Sequence, residues 1–191
     1  MIFISVAHSV GSGAFNELYN LQEYNCSQVM SKSCADHLTT NGIKNVLFDL
    51  GRVDTQSKRK QIKKEQIKLY NPELAIEIHL NSESTGSVNY SSCFTWKNND
   101  STLELSKDII NNFRIGMKNK IAGGFKEFVI PSDGFDVNRF WYLSDNKCNS
   151  IIVEPCFISN NEQAKYLLQE SYLNSIGYMV AEAIKKWKNT K

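Results

Sequence analysis

Leu74-Ala75-Ile76-Glu77-Ile78-His79-Leu80-Asn81 is the stretch on which the fold turns. Leu74 to Leu80 reads as a strand: a short apolar run bounded by turn signals. The segment before it, Gln56 to Tyr70, is strongly charged and predicts a helix, stopped by Asn71-Pro72 because a residue before proline is disfavoured in the α region. Working outward, Ile2 to Ala7 predicts a buried strand and residues 8–20 a loop. Leu21 to Thr40 predicts a helix with Asn41-Gly42 as its C-terminal cap, and Lys44 to Leu50 a second strand. Downstream, Val88 to Trp96 predicts a strand and Ser101 to Met117 a helix with Ser101 as N-cap. Phe140 to Leu143 and Ser150 to Val153 predict short strands, and Asn161 to Lys188 one or two closing helices. Residues 118–137, rich in Gly and Lys, match no template. Strands alternating with helices predict an α/β fold: a single mixed, mostly parallel sheet with helices on both faces. With no repeat, low-complexity tract or linker, residues 1–191 are expected to form one domain.

Composition narrows the function classes. The chain is 41% hydrophobic and 22% charged, which excludes disorder and collagen-like structure. No apolar run approaches the ~20 residues that span a bilayer, so no membrane insertion is expected. The opening residues carry no basic region and no small-residue cleavage site, so no secretory signal is read and synthesis in the cytoplasm is expected. The net charge is +2, from 18 Lys and only 4 Arg against 20 acidic residues, which argues against nucleic acid as a partner. One basic cluster stands out: Lys58, Arg59, Lys60, Lys63, Lys64 and Lys68. It reads first as a solvated helix face and second as an attraction to a polyanionic surface such as a cell wall. Cys26, Cys34, Cys93, Cys148 and Cys156 form no CxxC pair, and their odd number points to reduced thiols.

Open α/β sheets bind ligands at the carboxyl ends of their strands. His8 follows the first strand and His79 lies near the end of the third, so two of the three histidines sit where a site would be built. The third, His37, falls mid-helix and reads as packing or surface. A catalytic zinc takes about three protein ligands and keeps an open position for water. The missing ligand should be a carboxylate able to fold back on both histidines. Glu17 and Glu23 both qualify; Glu23 is favoured because a helix start would aim it, whereas Glu17 lies in the loop. Glu154 ends an apolar strand at the same rim, where partial burial suits a carboxylate to acid/base work. Glu77 points to the same side as His79, two residues on. It could support the histidine from behind or face solvent on an edge strand.

Four segments together resemble the zinc-dependent N-acetylmuramoyl-L-alanine amidases of the amidase-3 type. They are Ser5-Val6-Ala7-His8-Ser9, Glu23-Tyr24-Asn25, Ile76-Glu77-Ile78-His79-Leu80-Asn81 and Ile152-Val153-Glu154-Pro155-Cys156-Phe157-Ile158-Ser159-Asn160. The order and spacing are those of the family, from residue 2 to about 187. Catalytic domains of endolysins from phages of clostridia are similar in the Glu77 to Asn81 stretch, and in Arg139 to Leu143. The resemblance implies one zinc held by His8, Glu23 and His79, with Glu154 as catalytic acid/base. It implies hydrolysis of the amide between N-acetylmuramic acid and L-alanine in bacterial peptidoglycan. The family's usual Gly-His-Gly-Gly is Ala7-His8-Ser9-Val10 here, so the loop after His8 is expected to be shaped differently. Cys148 stands near where relatives often carry proline.

On this reading the protein is a monomer that acts on the cell wall, for lysis or autolysis, with a holin-type release if phage-encoded. The 191 residues leave no room for a separate cell-wall-binding domain. Two rivals share the ligand set: a zinc peptidase of peptidoglycan cross-links, and a non-catalytic wall-binding protein of the same fold. A cysteine hydrolase is a third, disfavoured because no histidine adjoins Cys26 or Cys156 in sequence.

Overall fold

The computed structural model describes residues 1–97, 99–117, 124–130, 141–144 and 148–190. Strand β1 (Ile2–Val6) leads through a small antiparallel pair, β2 (Phe15–Asn16) and β3 (Leu21–Gln22), into helix α1 (Glu23–Thr40). There follow β4 (Asn45–Phe48), α2 (Gln56–Tyr70), β5 (Leu74–Ile78), β6 (Ser91–Trp96) and α3 (Asp100–Gly116). The chain closes with β7 (Phe125–Ile130), α4 (Trp141–Ser144), β8 (Asn149–Glu154), α5 (Asn161–Leu167) and α6 (Glu170–Asn189).

Six strands form one sheet in the order β4-β1-β5-β8-β6-β7. Strands β4, β1, β5 and β8 are mutually parallel; β6 runs antiparallel to β8 and carries β7 parallel to itself. The expected mixed, mostly parallel sheet is therefore present. Its central strands are buried on both faces because side chains alternate. Ile2, Ile4, Leu74, Ile76, Ile78, Ile151 and Val153 meet α1, α3 and α6 on one face. Phe3, Ala75 and Ile152 meet Ile67 of α2 and Tyr142 and Leu143 of α4 on the other. Each such side chain contributes about 1.5–3 kcal/mol by leaving water. Chain order reverses between β1 and β5: β1 connects outward to β4, whereas β5 connects toward β6 and β8. A crevice opens at such a switch point, at the carboxyl ends of the strands.

Three local expectations are corrected. Trp141 to Leu143 lies in α4 and not in a strand. Three consecutive apolar residues carry no period that separates strand from helix, and here one helical turn buries Tyr142 and Leu143 against the sheet. Helix α3 starts at Asp100, and its N-cap is Asn99, whose side chain accepts from Thr102 N at 3.2 Å. Ser101 instead accepts from Trp187 Nε1 at 3.0 Å, tying α3 to α6. The loop at 8–20 contains β2, and α1 begins only at Glu23. Of the stretch 118–137, residues 124–130 are described and hold β7. Arg139 and Phe140 lie outside the described residues.

Candidate metal centre

His8 follows β1, His79 follows β5, and Glu154 ends β8. These are three adjacent parallel strands, so register alone brings the three side chains to one rim of the sheet. Glu23 reaches the same place from the first turn of α1. What aims it is Ser27, one helical turn on. Ser27 Oγ accepts from Ala7 N at 2.8 Å and donates to Ile78 O at 2.6 Å. This buried hydroxyl pins the start of α1 to the residues just before both histidines.

The sequence left Glu17 and Glu23 as alternatives; the structure separates them. The β2–β3 pair folds residues 15–22 back on themselves and leaves Glu17 exposed. Glu23 is buried. Its Oε2 accepts from Ala14 N at 2.8 Å and its Oε1 from Leu80 N at 2.9 Å. The same Oε1 lies 3.0 Å from His8 Nε2 and 3.2 Å from His79 Nδ1. One donor atom each from His8, Glu23 and His79 thus fall within 4.8 Å of one another. Two imidazole nitrogens and a carboxylate oxygen, converging at that range, are the donor set that zinc favours.

Electrostatics agree with this convergence. Burial opposes the charge on Glu23, but hydrogen bonds and charges from the two imidazoles outweigh it and hold the carboxyl far below its ordinary range. Burial likewise opposes the imidazolium of His79, yet its hydrogen bonds to Glu23 and Glu77 push it up to about 10. A cation at this spot is what the surrounding carboxylates stabilise.

The four residues line one cavity of about 470 Å³. Arg59, Lys60 and Lys63 of α2 line it too, with Asn81 and Trp141. This corrects the reading of the basic cluster as a solvated helix face. Lys58 and Lys68 are exposed as expected, but Lys63 is buried and Arg59 and Lys60 are half-buried. Arg59 Nη1 donates to Ser12 Oγ at 2.6 Å. The Lys60 ammonium sits 5.5 Å from the Trp141 ring centroid. Lys63 Nζ donates to Val6 O at 2.9 Å and to Glu77 Oε1. Glu77 is accordingly no solvent-facing residue: β5 is an inner strand and the carboxylate is buried behind His79.

The loop between His8 and Glu23 is shaped by two unusual backbone positions. His8 itself adopts φ of +63°, a conformation that costs a non-glycine residue about 1–3 kcal/mol and clusters at functional sites. Gly13, at φ of +92°, presses so close that an added Cβ would stand 2.8 Å from His8 Cδ2 and 2.9 Å from Glu23 Oε2. The sequence reading passed over Gly13 and Ser27, and took Lys63 only as part of the basic cluster. Only Lys63 left a signal, a charge four residues before Ile67 on the sheet-facing stripe of α2.

The cysteines take no part. All five are free and all but Cys148 are buried. Burial pushes the Cys26 thiol up to about 11 and Cys156 higher still, which deprives both of thiolate character.

Among the described residues no helix is long and apolar enough to cross a membrane. Comparison with family models matches residues 2–186 to the family described as N-acetylmuramoyl-L-alanine amidase. No curated protein matches the sequence. Among solved structures, the CwlD amidase from Clostridioides difficile, in complex with the GerS lipoprotein, is similar with a TM-score of 0.81. The two are 21% identical over 100% of this chain and 98% of that one. The amidase AmiC2 of Nostoc punctiforme is 22% identical, with a TM-score of 0.80 over 98% of this chain and 96% of that one. The catalytic domain of the CD27L endolysin targeting Clostridia Difficile is 20% identical, with a TM-score of 0.74 over 97% and 96%. At these identities the structural likeness establishes the fold.

Proposed function

The chain belongs to the N-acetylmuramoyl-L-alanine amidase family, a class of peptidoglycan hydrolases, and from that premise we propose how its own residues carry the reaction. His8 Nε2, Glu23 Oε1 and His79 Nδ1 are the ligands of one zinc ion. The observation that carries this is the shared approach of both imidazoles to a single buried carboxylate oxygen, at 3.0 and 3.2 Å. When bound, zinc supplies a Lewis acid that brings the pKa of a coordinated water toward ~7 and polarises the amide carbonyl.

Glu154 is the acid/base. It ends β8 in the same cavity as the three ligands, half-buried and without a place among them. It takes a proton from the attacking water and returns it to the departing amine of L-alanine. The helix start and Ser27 keep Glu23 oriented, so the ligand geometry is set before substrate arrives.

The cavity holds all four residues without a second chain, and the proposed role is that of one catalytic domain acting on the wall as a monomer. A lytic role is proposed by analogy with the CD27L endolysin catalytic domain, which shares the fold.

The test joins zinc content with digestion of purified peptidoglycan. The expected products carry new L-alanine amino termini, and chelator abolishes their release. Glu154→Gln should retain zinc and lose most activity, by 10²-fold or more for a lost general acid/base. A fully active Glu154→Gln protein, or new termini other than L-alanine, would overturn the assignment.

A further inference from the structure

The buried pair formed by Lys63 and Glu77 lies outside the ligand set, and nothing in the reaction as described uses it. Glu77 Oε1 is saturated: it accepts from Lys63 Nζ and, at 2.9 Å, from Ser5 Oγ. Ser5 Oγ is in turn 3.2 Å from the Tyr142 hydroxyl. Glu77 Oε2 faces His79 Nε2 at 3.1 Å. The opposite ring nitrogen, Nδ1, faces Glu23.

This arrangement has a direction. A carboxylate accepts only, so the nitrogen facing it carries the hydrogen. Both ring nitrogens of His79 face a carboxylate, and the two carboxylates differ in their surroundings: Glu77 is already committed to Lys63 and Ser5, whereas Glu23 belongs to the proposed ligand set, so the Nε2–H stays toward Glu77 and Nδ1 is the nitrogen turned to the metal position. A carboxylate buried at this depth needs a counter-charge, since an unpaired buried ion is costly. Lys63 supplies it, and its ammonium is itself anchored by Val6 O at the end of β1. The pair therefore spans from α2 through β1 to β5, behind the histidine.

We infer that Lys63 and Glu77 are positioning residues that hold the His79 ring with Nε2 toward Glu77 and Nδ1 toward the metal position. The inference rests on the proposed ligand set. Ligand histidines commonly donate their second ring N–H to a carboxylate, and losing that partner costs about 10–100-fold in metal affinity.

The test uses the full chain. Glu77→Met keeps the volume and removes the acceptor, but strands the Lys63 cation. The double variant Lys63→Met, Glu77→Met removes both charges, a replacement that is often neutral or stabilising. Zinc affinity is read by chelator competition and folding by thermal melting. The single variant should lose both stability and affinity. The double variant should regain stability while its zinc affinity stays about 10–100-fold below that of the unsubstituted protein. A purely structural role predicts that affinity recovers with stability, and a double variant that binds zinc normally would overturn the inference. Independently of folding, ¹⁵N-histidine NMR of the zinc-loaded protein should show His79 bound through Nδ1 with a slowly exchanging Nε2 proton. Coordination through Nε2 would overturn the inference alone; failure of the unsubstituted protein to take up zinc would overturn the ligand set with it.

Discussion

Gly13→Ala puts a single methyl group against His8 and Glu23, two of the three proposed ligands. The backbone there has φ of +92°, which a residue with a Cβ adopts at a cost of about 1–2 kcal/mol. The new Cβ would lie 2.8 Å from His8 Cδ2, 2.9 Å from Glu23 Oε2 and 3.0 Å from His8 Cγ, where ordinary contact begins at 3.4 Å. Something must retreat by about 0.6 Å. Glu23 cannot do so cheaply, because its Oε2 holds Ala14 N at 2.8 Å and its Oε1 holds Leu80 N at 2.9 Å. His8 is therefore the group that moves. Cδ2 adjoins Nε2 in the ring, so the displaced atom carries the metal-facing nitrogen with it. Overpacking of this kind costs about 1–3 kcal/mol, which with the backbone term makes about 2–5 kcal/mol in all.

Gly11→Ala is the matched control. Gly11 has φ of +74° in the same loop, but an added Cβ there meets nothing within 4 Å. It incurs the backbone cost alone. Thermal melting and zinc titration of the two variants side by side separate strain from steric displacement. Gly13→Ala should melt lower than Gly11→Ala and bind zinc at least about tenfold more weakly, as about 1.4 kcal/mol transferred to the ligand geometry requires. Equal zinc affinity in both variants would refute the reasoning, because the collision with His8 and Glu23 is the only difference it invokes.

Two more outcomes follow from other parts of the molecule. Gly177→Ala places a Cβ 2.2 Å from Met30 O and 2.9 Å from Cys34 N, backbone atoms of α1 that cannot rotate away. The α1–α6 contact should open at a cost of about 3 kcal/mol or more, read by denaturant melting, with activity per folded molecule unchanged. The metal-free protein should be pH-sensitive in a defined direction. His79 is raised from 6.5 to about 10, so the stability it gains from Glu23 and Glu77 is fully present below pH 6.5 and is lost as pH rises toward 10. Zinc bound through the proposed ligands would displace that proton, so its apparent affinity should rise over the same window, and calorimetry in buffers of different ionisation enthalpy should count the proton released. A flat melting profile for the metal-free protein between pH 6.5 and 10 would refute it.

What the sequence disclosed follows from how far each interaction reaches along the chain. His8, His79 and Glu154 were legible because each needs only its own strand: an apolar run ends, and the next polar side chain lands on the rim. Glu23 was not separable from Glu17 by that logic. Both follow the first strand, Glu17 in the loop and Glu23 at the head of the first helix, and the choice depends on the β2–β3 pair and on Ala14 N. Two-residue strands leave no period to read. Trp141 to Leu143 failed in the same way, being too short for a helical repeat to show.

The charges of α2 failed for a different reason. Lys63 sits in a run of lysines, and charge density reads as solvent exposure unless a partner is known. That partner, Glu77, was equally ambiguous on its own strand. Lys63 read as solvent-exposed, and Glu77 stayed open between a support for His79 and a solvent-facing residue, because neither partner was in view of the other. Taken together they are a buried ion pair whose members sit on different elements, and a local pattern cannot hold such a pair. The same applies to Ser27, a helical serine whose oxygen accepts from Ala7 N and donates to Ile78 O, across two strands. The two histidines and Glu154 were thus written in single strands, while Glu23 and the groups that hold these residues in place were written only in contacts between elements. This is where substitution should separate zinc affinity from fold stability.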